Sequence, residues 1–385
     1  MGLNFAYATA SEIIFGSGSF DQIGKHISGK YKSPLIVYGK SNNNAGKLLN
    51  ILSLQNIKGS IFNIETEPTI DIIQQGIELG REINCDVVFG IGGGSAIDSA
   101  KAIAAMIPNQ GYLLDYLEVI GLGKPLIQSP IPCIAVPTTS GTGAEVTKNA
   151  VIKSTDKKVK VSLRSDKMYP VLALVDPQLA LTMPQNITAS TGIDALTHLM
   201  ETFVSNQSNP FIDMFCRDGM KRIARSLEKA YLNGNDLEAR EDMAMASMLG
   251  GMALANVKLG AVHGFAGPMG GMFPIPHGEI CACLLPAVME INSETLKDSG
   301  QQQSLLKYRE VAQIFTGDAN AEIKEGIERI NMLVKELGIP TLSKFGISTT
   351  DFQELVEKAK NSSSMKGNPV KLADDQLVSI LEKSM

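Results

Sequence analysis

Asp86-Val-Val-Phe-Gly-Ile-Gly-Gly-Gly-Ser-Ala-Ile-Asp-Ser-Ala-Lys101 decides the fold of the first half of this 385-residue chain. Its opening reads as a buried strand that runs straight into three glycines, and a helical stretch follows. Glycines between a strand and a helix let the backbone approach a pyrophosphate closely. The helix N-terminus then offers free N–H groups and the positive end of a dipole. This is not the usual first βα turn of a dinucleotide fold, since it follows roughly three strands. A glycine-rich turn without a ligand is the plain alternative.

Working outward, strands and helices alternate on both sides. Before it come a strand at Glu12–Phe15, a helix near Ser19–Ile27, a strand at Pro34–Tyr38, a helix around Asn44–Leu54 and a strand at Lys58–Ile64. Thr69–Asn84 is an amphipathic helix with Ile70, Ile73, Ile77, Leu79 and Ile83 on its apolar face. After it, the strand Ile131–Val136 opens into Pro137-Thr-Thr-Ser-Gly-Thr-Gly-Ala-Glu145, Val151–Leu163 reads as a β-ribbon, and Leu172–Pro177 is the last strand. Such alternation implies an α/β unit with a parallel, Rossmann-like sheet and helices on both faces. The glycine loop and the threonine loop at neighbouring strand ends would form a dinucleotide crevice. The second strand ends in Tyr38-Gly-Lys-Ser-Asn42 with no carboxylate to bind a ribose 2′-OH. Gly39 leaves space there, and Lys40 and Ser41 offer a cation and a hydroxyl to a 2′-phosphate. Glu67 pulls the other way, and NADP(H) is expected ahead of NAD(H).

After Pro184 the pattern is helical to the end. The expected domains are therefore 1–182, an α/β dinucleotide-binding domain, and 183–385, an all-α metal-binding domain. Three of the four histidines fall in the second, and one carboxylate accompanies them. Asp194 and His198 stand four apart in a helix expected to be capped by Thr188 or Ser190, so they share a face. His263 follows in Leu259-Gly-Ala-Val-His-Gly, and His277 in Pro274-Ile-Pro-His-Gly-Glu279, at a turn or helix start. One Asp and three His suit Fe(II) or Zn(II) rather than Ca or Mg, which want more oxygens. Hydrogen-bonded buried histidines are the plain alternative.

The balance of the composition is that of a soluble globule, 44% hydrophobic and 19% charged with a net charge of −5. Nucleic acid finds no basic, aromatic-interleaved cluster, and the short Lys157-Lys158-Val-Lys160 run reads as a solvated edge strand. Five dispersed cysteines without a secretory signal point to reduced thiols and a cytoplasmic protein. Cys281 and Cys283, two apart on a helix, face roughly 200° from each other and are expected to be core residues. Met243–Phe273 is rich in Ala, Gly and Met but interrupted by Asn256, Lys258 and His263, so it reads as a buried helix pair rather than a membrane span. Ser362-Ser-Ser-Met-Lys-Gly-Asn-Pro369 reads as a surface loop.

The chain resembles the iron-containing, or group III, alcohol dehydrogenases over essentially its whole length. The resemblance rests on Gly92-Gly-Gly-Ser95 with Asp98 and Lys101, Pro137-Thr-Thr-Ser-Gly-Thr-Gly143 with Glu145, Asp176-Pro177, Gly192-Ile-Asp-Ala-Leu-Thr-His198 with Glu201, His263-Gly264 and His277-Gly278. It implies a dehydroquinate synthase-like architecture and a metal, Fe2+ with Zn2+ as the substitute, held by Asp194, His198, His263 and His277. It also implies that Gly93, Gly94, Ser95, Asp98, Thr138, Thr139, Thr142, Lys160 and Leu179 surround the NADP or NAD cofactor. His263 and His277 would carry the chemistry, hydride transfer between nicotinamide and a small alcohol or aldehyde, in a homodimer or higher homo-oligomer. A related metal- and nucleotide-dependent lyase, or a non-catalytic nucleotide-binding protein, are the other classes. Two positions depart from the family: Gly267 where a histidine is frequent, and Lys258 where a small residue is frequent. Together they favour a small polar or anionic aldehyde.

Overall fold

The computed structural model describes residues 4–40 and 43–385. Its contacts separate two units, one of Ala8–Met183 and one of Pro184–Met385 that also takes the described residues up to Tyr7. Aromatic packing holds this short segment there: Tyr7 meets the Phe211 ring edge-on at 4.9 Å, and Phe5 stacks on Phe211 at 5.8 Å.

In the first unit the strands are β1 (Ile13–Phe15), β2 (Pro34–Tyr38), β3 (Ser60–Asn63), β4 (Val87–Gly92), β5 (Cys133–Pro137) and β8 (Leu172–Val175). They form one all-parallel sheet in the order β1-β8-β5-β4-β2-β3. β6 (Asn149–Ser154) and β7 (Val159–Arg164) make a separate antiparallel ribbon. Lys157 and Lys158, expected on an edge strand, lie instead in the turn between these strands, where Lys158 has φ +51°. The helices are α1 (Ile23–Ile27), α2 (Asn43–Ser53), α3 (Ile70–Glu82), α4 (Gly94–Met106) and α5 (Leu113–Tyr116). Leu35 and Val37 pack into one apolar cluster with Val88 and Ile103, whereas Ile36 packs into another with Phe89, Ile134 and Val136. Strands buried on both faces need near-continuous apolar sequence, which is why the β4 stretch reads as it does. Each such fully buried side chain contributes about 1.5–3 kcal/mol.

The order in which strands are added reverses between β2 and β4: from β2 the chain passes outward to β3 and then returns to the other side of β2. Ligands of open parallel sheets bind beyond the strand ends at such a switch point. The register Tyr38↔Ile91 and Gly92↔Pro137 sets the ends of β2, β4 and β5 side by side there.

The second unit is helical: α6 (Gln185–Val204), α7 (Pro210–Leu232), α8 (Leu237–Leu254), α9 (Ala261–Met272), α10 (His277–Asp298), α11 (Gln302–Thr316), α12 (Ile323–Glu336), α13 (Phe352–Asn361) and α14 (Asp374–Lys383). Ile193, Leu196, Phe203, Phe265, Ile280 and Leu284 belong to one core that runs through it. Among the described residues no helix is long and apolar enough to cross a membrane.

The start of α6 corrects one expectation. The helix begins at Gln185 after Pro184, whose φ of −59° and ψ of 152° make it the cap, so Thr188 and Ser190 lie inside the first turns. Their hydroxyls turn back to Pro184 O and Ile187 O at 3.1 and 3.3 Å. The expected surface loop at Ser362–Pro369 is a second correction. Gly367, Asn368 and Pro369 are buried, because Asn368 is drawn into hydrogen bonds with Asn292 and the start of α9.

Candidate active site

In the first unit the glycine and threonine loops adjoin. Gly92 has φ +150°, a conformation side chains rarely adopt, and a Cβ built there would stand 3.3 Å from Gly39 N. Cβ atoms on Gly93 and Gly94 would meet Thr139 Oγ1 at 3.3 Å and Thr142 Cγ2 at 2.8 Å. Gly39, Gly93, Gly94, Thr139 and Thr142 are therefore neighbours, and Thr138 donates its N–H to Gly92 O at 2.9 Å. Gly93 caps α4 without any side-chain hydrogen bond, so main chain is what the helix start presents, with Ser95 in its first turn. Ser41 lies outside the described residues, and Lys40 is exposed.

Other expected cofactor residues have protein partners. Asp98 pairs with Lys101 Nζ at 2.9 Å and accepts the Val151 N–H at 2.9 Å, tying α4 to β6. Lys101, fully buried, also donates to Ala144 O and Thr147 Oγ1, each at 2.9 Å. Lys160 pairs with Glu67, which Lys153 also reaches at 3.2 Å. Burial alone would raise the Glu67 carboxyl, and the two ammonium groups outweigh it and lower its pKa. Leu179 is half-buried in the turn after β8, against the Ile36 and Phe89 cluster. Glu145 is buried, and desolvation pushes its carboxyl up to about 7.

In the second unit, three helices bring the histidines to one carboxylate oxygen. Asp194 and His198 come from α6, His263 from the first turn of α9, and His277 from the first residue of α10. From Asp194 Oδ1, His198 Nε2 lies at 3.8 Å, His263 Nε2 at 3.5 Å and His277 Nε2 at 3.6 Å. The His198 and His263 rings stack at 4.6 Å, and His277 tilts at 5.3 Å from His263. Close helix contact makes this possible: a Cβ on Gly278 would stand 2.0 Å from Ser190 O, so only glycine lets α10 begin against α6.

Cys281 was expected in the core and is the residue the sequence reading missed. It is buried, but its Sγ lies 3.6 Å from Asp194 Oδ1 and 3.9 Å from His263 Nε2. Asp194, His263, His277 and Cys281 all offer ligand atoms within 4.8 Å of one another; His198 is not among these four. The signal was available, since Cys281 is four residues after His277 and hence on its face of α10. Cys283 points elsewhere, to Pro340 O at 3.0 Å.

These distances are long for hydrogen bonds but suit donors around one ion: atoms about 2.1 Å from a metal at tetrahedral angles stand roughly 3.4 Å apart. Charge agrees with geometry. Burial works to raise the Asp194 carboxyl, yet the imidazoles around it, His198 foremost, hold it well below the usual carboxylate range. An ionised carboxylate this deeply buried, at 3% exposure, calls for positive charge beside it. Most of the cluster is closed to water, but the His277 side chain is 37% exposed, so that is its open side.

Both halves of the chain match a known family. Residues 10–177 match the family described as iron-containing alcohol dehydrogenase, and residues 188–385 the C-terminal part of the Fe-containing alcohol dehydrogenase family. Alcohol dehydrogenase 4 of Saccharomyces cerevisiae is 35% identical over 376 residues, 96% of each chain. The crystal structure of a 1,3-propanediol oxidoreductase superposes with a TM-score of 0.92 at 31% identity, covering 100% of both chains. A sulfoacetaldehyde reductase from Bifidobacterium kashiwanohense, in complex with NAD+, gives a TM-score of 0.87 at 27% identity, covering 100% of this chain and 99% of its own. The matches run through both halves and nearly the whole length of the chain, an oxidoreductase that belongs to the iron-containing alcohol dehydrogenase family.

Proposed function

We propose that Asp194, His198, His263 and His277 hold a divalent metal, Fe2+ with Zn2+ as the substitute, for the interconversion of a small alcohol and its aldehyde. The observation that carries this is the convergence of three imidazole Nε2 atoms to within 3.8 Å of one buried carboxylate oxygen. Residues 1–182 would then bind the dinucleotide and residues 183–385 the metal. When bound, the ion supplies a Lewis acid for the substrate oxygen and the nicotinamide gives or takes the hydride. Asp194 sets the negative charge of the ligand set, and His198 and His263 close it against water. His277 marks the open side, where a substrate proton would leave by way of this residue's exposed edge, ribose hydroxyls or water. The relatives are dehydrogenases and reductases, which disfavours the lyase alternative. Metal analysis of anaerobically purified enzyme, paired with reduced-nicotinamide absorbance on an aldehyde panel, tests the assignment. Full turnover by metal-free enzyme would overturn it.

The dinucleotide would lie over Gly39, Gly93, Gly94, Ser95, Thr138, Thr139 and Thr142, where main-chain N–H groups face the phosphates. NADP(H) is preferred in this reading, because Glu67 is neutralised by Lys160 and Lys153 and nothing lies within 4 Å of a Cβ built on Gly39. Equal or better kcat/KM with NAD(H) refutes that preference. Gly267 supports a small polar or anionic aldehyde as substrate: a Cβ there meets nothing within 4 Å, one turn along α9 from His263. Lys258 is exposed in the turn before α9, and Lys258→Ala should raise KM for an anionic aldehyde and leave a neutral one unchanged. This reading makes the protein a cytoplasmic homo-oligomer, and sedimentation of the purified enzyme tests the assembly.

A further inference from the structure

Helix α9 starts at Gly260 without a side-chain cap of its own. A helix leaves its first N–H groups without intrahelical partners, and buried ones must find acceptors elsewhere. Here two distant side chains provide them. Ala261 N donates to Asn368 Oδ1 at 3.1 Å, Val262 N to Glu201 Oε1 at 2.7 Å, and His263 N to Glu201 Oε2 at 3.3 Å. The first bond within the helix then runs from Gly264 N to Gly260 O at 2.9 Å. Glu201 and Asn368 are each only 5% exposed. The fit leaves no slack, because a Cβ on Gly260 would stand 2.9 Å from Glu201 Oε1 and 3.0 Å from Asn368 Oδ1.

The same carboxylate reaches the imidazole, with Glu201 Oε2 at 2.7 Å from His263 Nδ1. A carboxylate only accepts hydrogen bonds, so Nδ1 carries a proton and Nε2 is the ring nitrogen left for an ion. Nε2 is the atom that faces Asp194. Asn368 is itself anchored: it donates to Asn292 Oδ1 at 2.8 Å and Val370 O at 2.7 Å, and Asn292 reaches Tyr308 OH at 3.0 Å. The α9 start, the imidazole and the 362–370 segment are thus one buried polar network.

We propose that Glu201 and Asn368 are positioning residues that present His263 through Nε2, Glu201 by fixing its tautomer and ring and Asn368 by fixing the first turn of α9. This rests on the reading of His263 as a metal ligand. Groups that orient a ligating histidine typically change metal affinity by about 10–100-fold when lost. Glu201→Gln keeps the shape but turns an amide N–H toward at least one of the three donors it must receive.

The test uses the full-length protein stripped of metal and titrated with Co(II), followed by ligand-field absorbance and competition with a chromophoric chelator. Glu201→Gln should bind about 10–100-fold more weakly. Asn368→Ala should lose about tenfold, and Asn368→Asp, which keeps an acceptor for Ala261 N but sets a carboxylate oxygen against Asn292 Oδ1 and Val370 O, should lose at least as much. In parallel, 15N–1H spectra of the Zn(II)-loaded protein should show His263 protonated at Nδ1, with that proton strongly hydrogen-bonded in the wild type and less so in Glu201→Gln. Wild-type affinity in Glu201→Gln overturns the inference, as does an Nε2–H proton on His263 in the Zn(II)-loaded wild type; the latter reads even if a variant fails to fold. Asn368→Ala with wild-type affinity removes Asn368 from it. His263→Ala with wild-type affinity would instead overturn the metal reading beneath, so the two failures are distinct.

Discussion

The two units build their candidate ligand surfaces from opposite materials. In Ala8–Met183 the surface is main chain: the uncapped start of α4 and the turns at Gly39, Gly92 and Gly143. In the helical unit it is side chain, three imidazoles from three helices pointed at one carboxylate oxygen. A main-chain surface should tolerate trimmed side chains and fail when atoms are added. A side-chain surface should fail when any one group is removed.

The largest expected effect tests the second half of that contrast. His263→Ala or His277→Ala should release the metal and lower turnover by about 10³-fold or more, while fluorescence titration still shows nucleotide binding. Retained metal in either variant would mean that the cluster is not built as a set. Next comes a place where the first unit does depend on side chains, behind its loops. Lys101 is fully buried and satisfies Asp98, Ala144 O and Thr147. Lys101→Met leaves the Asp98 charge unpaired and should cost about 3–5 kcal/mol in chemical denaturation.

Glu145 gives a pH-dependent version of the same point. Its folded pKa of about 7 exceeds the ordinary 4.5, so the folded state binds the extra proton between these values. The contribution is therefore fully present below about pH 4.5 and lost as pH rises through about 7, a change of about 3 kcal/mol. Glu145→Gln should flatten the stability profile over that window and make the protein more stable than wild type at pH 8. A parallel profile for both would show that Glu145 is not the group responsible.

The smallest effect tests the main-chain surface itself. A Cβ on Gly94 would press on Thr142 Cγ2 at 2.8 Å, at the start of α4. Gly94→Ala should raise KM for the nucleotide about tenfold, roughly 1.4 kcal/mol, whereas Thr139→Ala should change it far less. The reverse order would make the threonine hydroxyl, not the backbone, the principal contact.

The sequence by itself determined whatever depends on local conformation. The apolar β4 run ending in glycines predicts a buried parallel strand, and the spacing of Asp194 and His198 puts them on one helix face, as found. Neither needs knowledge of where the rest of the chain goes, because strand and helix periods act over a few residues. Tertiary structure alone decided which distant groups meet. Cys281 could be placed on the His277 face of α10, yet its approach to Asp194 depends on α10 crossing α6 at Gly278. The fold likewise set Glu67 beside Lys160, a pair 93 residues apart. Asn368 sits in a segment whose composition is that of a surface loop, and it is buried because the first N–H of α9 needs an acceptor. Glu201 and His263 are 62 residues apart, and Asn368 and Ala261 are 107 apart. Separations of that length carry no periodic signal. Helix packing closes them, through the small residues that let backbones approach and the buried donors that must be satisfied.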